Sequence, residues 1–271
     1  MLLDIDYQPS QGLVGKKNAY QVHHPLPPLS HWVQCLWQLD VPEGAYHYRT
    51  MPDNSVDWII NLNDPEDTVL VSPFSSSMVF DLNGPTSYFG IRFRILGHHG
   101  LITQPLGEWG GIDYEVSPID LLPFPIFDSI LTLLLKSKSF SGRCKDVSRI
   151  ILSSVRNVDI DPRLSRYIRY CCKQTSSNLS LSDKQCSEFG VSARQLRRLT
   201  HLHLGLVPKD FAKVVRFQRT LRGIIQTGQE GAWANYYYDQ PHFIREFKDM
   251  AGMTPSEFHR MSVLYNKDRK A

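Results

Sequence analysis

A chain of 271 residues with 42% hydrophobic content is long enough for two domains with cores of their own, which excludes a disordered or fibrous protein. The net charge of +3 is unevenly spread: residues 161–271 carry +9 and residues 1–160 carry −6. The acidic half excludes indiscriminate coating of a polyanion by the whole chain, and the basic half is the electrostatic footprint of a polyanionic partner.

Five cysteines (Cys35, Cys144, Cys171, Cys172, Cys186) are odd in number and form no CxxC pair, the pattern of a reducing compartment. No apolar run approaches the roughly 18 residues of a membrane span. MLLDIDYQPSQG lacks the basic start and apolar centre of a signal peptide. A soluble cytoplasmic protein without membrane partners is expected.

Residues 1–30 are polar and Pro-rich and predict an irregular arm. Strand-like runs follow at 31–40, 55–63, 68–72, 77–82 and 88–96, separated by the turn formers PDN, NDPED and NGP. They predict a small antiparallel sheet or barrel. Arg92 and Arg94 alternate with Ile91, Phe93 and Ile95, so both arginines share one face. There they hold an anionic effector through bidentate contacts, lie on a solvated sheet face, or pair with Asp or Glu. Trp58, with Trp32 and Trp37, is core or lines such a pocket. Asp53 and Asp57 flank a turn-to-strand junction and predict turn caps. His23-His24 and His98-His99 are adjacent pairs whose side chains diverge on a strand, so no metal site is expected. No GxSxG, P-loop, GxGxxG or HExxH occurs, and neither a catalytic residue nor a cofactor is expected.

Helical periodicity begins at 118–156, with stripes Ile126, Ile130, Leu133, Leu134 and Val147, Ile150, Ile151, Val155. A junction at 159–161 precedes a helix from Arg163 to Gln174. Ser182 with Gln185, and Ser192 with Gln195, are two capping-box starts separated by Gly190 and Val191, the signature of a helix-turn-helix. Leu196 and Leu199 face the core and leave Arg194, Gln195, Arg197 and Arg198 outside. From Pro208 to Thr227 the residues Phe211, Val214, Val215, Gln218, Leu221, Ile224 and Ile225 predict a long helix that Gly228 stops. At about 30 Å it nearly spans one turn of DNA.

The last unit opens at Asp239, a good N-cap, with Pro241 in the first turn. Phe243, Ile244 and Phe247 predict the buried stripe, and Gln240, His242, Arg245 and Lys248 project from the other side. Thr254, Pro255 and Glu257 start a further helix. A short helix bearing Gln, His, Arg and Lys suits the major groove.

Residues 160–262 resemble the DNA-binding domain of AraC/XylS-type transcription regulators, through GVSARQLRRL, GLVPKDF, YYDQPHFIREFK and GMTPSEF. More weakly, PPLSHWVQCLWQL, MPDNSVDWIINL, YFGIRFR and PLGEW look like the β-rich sensor domain found ahead of such units. The resemblance implies base reading by Arg194, Arg197 and Arg198 in the first unit and by Gln240, His242 and Arg245 in the second. Ser192, Gln195 and Lys248 complete the expected DNA-facing set. It implies an α+β protein in which a small antiparallel sheet or barrel with helices (1–159) precedes an all-α domain (160–271). That domain holds one helix-turn-helix at about 181–202, a linker helix at about 208–227 and a second helix-turn-helix at about 230–250. The expected function is a sequence-specific transcription regulator, not an enzyme, controlled by a small effector bound to Arg92, Arg94 and Trp58. Double-stranded DNA, that effector, RNA polymerase and a second copy of the chain are the expected partners. One departure favours an alternative. Family members carry a longer scaffold helix, W-x-x-[IV]-A-x-x-x-G-Y, before the YYDQ segment, whereas Trp233 is followed almost at once by Tyr236, Tyr237 and Tyr238. A scaffold so short buries little apolar surface, which points to a single-unit DNA binder acting mainly through effector or protein contacts.

Overall fold

Two long strands dominate the amino-terminal half of the computed structural model, which describes residues 7, 9, 20–110, 115–173, 181–227, 233–234 and 236–260. Most of the expected amino-terminal arm, Gly228 and the scaffold positions 230–232 and 235 lie outside these residues. The strands are β1 (Tyr20–His23), β2 (Val33–Arg49), β3 (Asp57–Asn61), β4 (Thr68–Val71), β5 (Val79–Phe93) and β6 (Glu115–Val116). They form one antiparallel sheet in the order β1-β2-β5-β3-β4-β6.

The two runs expected at 77–82 and 88–96 are one strand, and β2 runs on to Arg49 instead of ending at Asp40. The NGP triplet is not a turn. Gly84 lies opposite Gly44, next to a register shift in β2 between Val41 and Gly44. A Cβ at Gly84 would sit 1.8 Å from the Pro42 carbonyl oxygen, so glycine is needed for close approach. Beyond this bulge β2 and β5 continue as a two-stranded ribbon ending at the Arg49↔Val79 pair.

One face of the sheet is covered by α2 (Phe124–Lys136) and α3 (Phe140–Ser154). Trp58, Ile60, Phe89 and Ile91 meet Ile130, Leu134, Val147 and Ile151 in one core. Ser139 caps α3 by accepting from the Gly142 N–H at 3.1 Å. His98 and His99, expected on a strand, sit in a 3-10 turn, Gly97–Gly100, so their rings do not diverge.

The carboxyl-terminal half is helical: α4 (Pro162–Lys173), α5 (Asp183–Glu188), α6 (Ala193–Leu204), α7 (Pro208–Thr227), α8 (Gln240–Ala251) and a final turn of helix over 255–260. A short α1 (Leu106–Trp109) of the first half packs on α6. The two halves share cores: Ile95 and Leu96 pack with α4, α6 and α7, and Met51 packs with α7 and α8. The segment after β2 also binds α7 through polar atoms. Asn54 donates its amide to the Phe211 carbonyl at 3.1 Å, and Gln218 donates to the Pro52 carbonyl at 2.7 Å. That bond satisfies the one polar slot in the apolar stripe of α7.

Candidate nucleic-acid interface

The first unit is built by local chemistry. Ser182 caps α5. Gly190, at φ +79, turns the chain in the left-handed region that glycine adopts freely. At α6 the Ser192 hydroxyl accepts from the Gln195 N–H at 3.2 Å, and the Gln195 side-chain oxygen accepts from the Ser192 N–H at 3.0 Å. Asp183 of α5 accepts from the Ala193 N–H at 3.1 Å and fixes the two helices to each other. Ser192 and Gln195 are thus engaged in starting the helix. Behind α6, Cys186, Phe189, Val191, Leu196 and Leu199 join Leu164, Tyr167 and Phe211 in a core. Arg166 donates to the Phe189 carbonyl at 2.8 Å, which satisfies a helix-end acceptor. Arg194, Arg197 and Arg198 present themselves away from that core, and all three are exposed.

The second unit has the same logic with a different support. The Asp239 carboxylate caps α8, accepting from the His242 N–H at 2.8 Å, and Gly252 ends it at φ +68. Thr254 and Glu257 form the expected reciprocal cap of the final turn. The buried stripe is Phe243, Phe247, Met250 and Ala251. Ile244 is 39% exposed, contrary to expectation, because it lies about 100° round the helix from Phe243. Among the described residues, Tyr236 and Tyr237 both donate their N–H groups to the Trp233 carbonyl, in the stretch where a shortened scaffold was expected. Trp233 stacks on Phe243 with centroids 5.9 Å apart, and Tyr237 packs against Phe243 at 5.2 Å. Gln240, Arg245 and Lys248 are on the outer face; Gln240 and Lys248 are exposed. His242 is half-buried, its ring edge-on to Tyr237 and its Nε2 3.6 Å from Glu246.

The helix α7 joins the units, and at 20 residues it is about 30 Å long. Arg216 on α7 grips both carboxylate oxygens of Glu246 on α8 at 2.7 Å. Burial works against the Arg216 charge, and the hydrogen-bonded Glu246 carboxylate more than offsets it, so its pKa is raised. A groove of about 360 Å³ between the helices is lined by Lys209, Lys213 and Arg216 of α7 and by His242, Arg245, Glu246 and Asp249 of α8. Lys209 and Lys213 were not singled out from the sequence. Their i, i+4 spacing on a helix otherwise chosen for its apolar stripe was the available signal.

The residues expected to hold an effector are not brought together around an open site. Arg92 is 8% exposed and committed to two carboxylates, with Nη1 2.8 Å from Asp53 and Nη2 2.8 Å from Asp57. Asp57 also accepts from the Trp37 indole at 3.1 Å, so it anchors Arg92 rather than capping a turn. Asp53 does both, accepting from the Ser55 N–H at 2.9 Å. Burial raises the Asp53 pKa while Arg92 opposes the shift. Trp58 is fully buried, donates to the Thr68 hydroxyl at 2.9 Å and stacks on Phe127. Arg94 lies beyond the end of β5, where its N–H donates to the Trp32 carbonyl. Both arginines were expected on one sheet face; the strand ends between them.

Comparison with known proteins gives two family matches. Residues 185–261 match a family described as Helix-turn-helix domain, and residues 21–113 match one described as Domain of unknown function (DUF6597). No curated protein matches the chain. Among solved structures, an apo single-site variant of ToxT from Vibrio cholerae is 12% identical at a TM-score of 0.43, covering 92% of this chain and 99% of that one. A structure of unsaturated fatty acid bound wild-type ToxT from the same organism is 12% identical at a TM-score of 0.39, covering 92% and 98%. Behind its β-rich amino-terminal half, the chain carries a helix-turn-helix domain.

Proposed function

We propose that the protein is a sequence-specific transcription regulator that reads duplex DNA with α6 and α8, under control of a small effector taken up by its amino-terminal half. The observation that carries this reading is the rigid presentation of three outward-facing arginines on a doubly capped helix, tied through α7 to a second helix whose outer face carries Gln240, Arg245 and Lys248. Arg to guanine O6/N7 is the commonest specific base contact, and each good one contributes about 1–3 kcal/mol of discrimination. The length of α7 suits two successive major grooves on one face of the duplex. Effector control is supported by contact: the sheet domain packs on α6, α7 and α8, so a ligand that shifts it has a path to both reading helices. RNA polymerase, a second copy of the chain and a cytoplasmic location belong to the same reading. The test is a mobility-shift assay with Arg198→Ala, which should weaken specific binding far more than nonspecific binding. Equal losses on both would remove Arg198 from the base-reading set.

A second reading, engagement of one unit only, draws on the turn at Trp233–Tyr237 that precedes α8 among the described residues. Footprint length separates the two, because two engaged units protect about two helical turns and one protects about one.

A further inference from the structure

Three imidazoles meet where the amino-terminal half touches the carboxyl end of α6. His98 and His99 come from the 3-10 turn after β5, and His203 comes from the last turn of α6. The rings of His98 and His99 are 4.1 Å apart and those of His99 and His203 are 5.4 Å apart. His98 is 2% exposed, and among the described residues neither of its ring nitrogens has a hydrogen-bond partner. His99 Nε2 and His203 Nδ1 are likewise buried without partners among those residues.

Backbone groups of His203 and Ile102 hydrogen-bond His99 and favour its charged form, without offsetting its burial. From α1, the Trp109 ring lies edge-on to His98, and Glu108 is exposed. From α6, His201 is exposed and its carbonyl lies against Gly107. From the connector to α4, Arg156 and Asp159 line a cavity of about 320 Å³ beside His99 and His203. Asp161 favours the charged form of His203, but it is already held by Arg163 at 2.7 Å.

We propose that His98, His99 and His203 form a proton-operated latch on the first reading helix: neutral imidazoles let the amino-terminal half dock on the end of α6, and their protonation releases it. Burial first, and the neighbouring imidazoles second, push His98 well below the ordinary histidine value and His99 down to about 4. Burial lowers His203, with Asp161 opposing. The docked state therefore binds fewer protons than the released state. Docking is at full strength above about pH 6.5 and weakens as pH falls toward 4. At pH 5.5 each such histidine lowers the docking equilibrium about tenfold, and two lower it about 100-fold. The consequence for gene control rests on the DNA-binding reading above; the latch itself does not, and its test contains no DNA.

The test is amide hydrogen exchange on the full-length protein at pH 7.5 and 5.5, with rates corrected for intrinsic exchange. Peptides spanning 97–109 and 199–207 should lose about 100-fold of their protection at pH 5.5, while the interior of α3 keeps its own. In His99→Gln/His203→Gln the loss should shrink to about tenfold or less; if that variant does not fold, the His99→Gln single variant, which leaves His98 as the strongly shifted group, reads the same attenuation. Histidine titration by proton NMR should place His98 and His99 well below 6.5. Protection at 97–109 and 199–207 that is unchanged between the two pH values, an undiminished loss in the variants, or ordinary midpoints near 6.5 would each overturn the latch.

Discussion

Ser77, at the tip of the β2–β5 ribbon, donates its backbone N–H to the carbonyl oxygen of Met250, in the last turn of α8, at 2.7 Å. Beside it the Arg49 guanidinium bonds the Ser77 hydroxyl at 3.2 Å and fills the space a Cβ at Gly252 would need. The ribbon thus holds the carboxyl end of α8, and α1 packs on α6. Ser77→Pro removes the donor. Losing this bond should cost about 1 kcal/mol of docking, about a fivefold fall in amide protection over 248–253, with α6 unaffected. Unchanged protection would mean that the ribbon tip rests on α8 without restraining it.

Base reading and phosphate binding leave different signatures. Lys209 and Lys213 line the groove beside Arg245, where a backbone phosphate could be neutralised. Lys213→Gln should weaken all duplexes alike and reduce the slope of log K against log salt by about 1. Arg198→Ala should cost about 1–3 kcal/mol on the preferred sequence and relax selectivity there. Paired titrations at several salt concentrations check both, and an unchanged slope for Lys213→Gln would place that lysine off the duplex.

Arg92 is a structural ion in a buried site. Arg92→Leu leaves Asp53 and Asp57 buried without their cation, so it should destabilise the amino-terminal half by about 3–5 kcal/mol in urea unfolding. Adding Asp53→Asn and Asp57→Asn should recover much of that loss. If Arg92→Leu unfolds at the wild-type midpoint, the triad holds nothing together.

The caps were legible because they are local: Ser192 with Gln195, Asp239, Gly190 and Thr254 with Glu257 each specify a turn of backbone within four residues. What was not legible depends on distant partners. Phe217 and Thr220 are buried alongside the expected stripe of α7, whose Gln218 bonds Pro52, 166 positions away. An ion pair with Asp or Glu was one of several open readings of an alternating strand, and only the pairing of β3 with β5 sets Arg92 beside Asp57. NGP carries strong turn chemistry, yet the bulge opposite Gly84 uses it inside a strand. Ile244 fell in the wrong class because adjacent apolar residues on a helix diverge.

Trp233 and Tyr237 support α8 through Phe243. Trp233→Ala removes the half-buried ring stacked on Phe243 and should cost about 1–3 kcal/mol locally, less than a change in a sealed core. Nuclease footprinting should then show protection shrinking from about two helical turns to about one. A footprint of unaltered length would mean that α8 docks without Trp233.

The central claim is that α6 and α8 recognise base sequence. Its most direct measurement is selection of bound duplexes from a random DNA library with the wild-type protein, with the footprint recorded on the winning sequence. Enrichment of a motif with two parts about one helical turn apart is expected, reduced at one part by Arg198→Ala and at the other by Arg245→Ala. A library that emerges from selection as random as it entered, with Arg194, Arg198 and Arg245 intact, would contradict it.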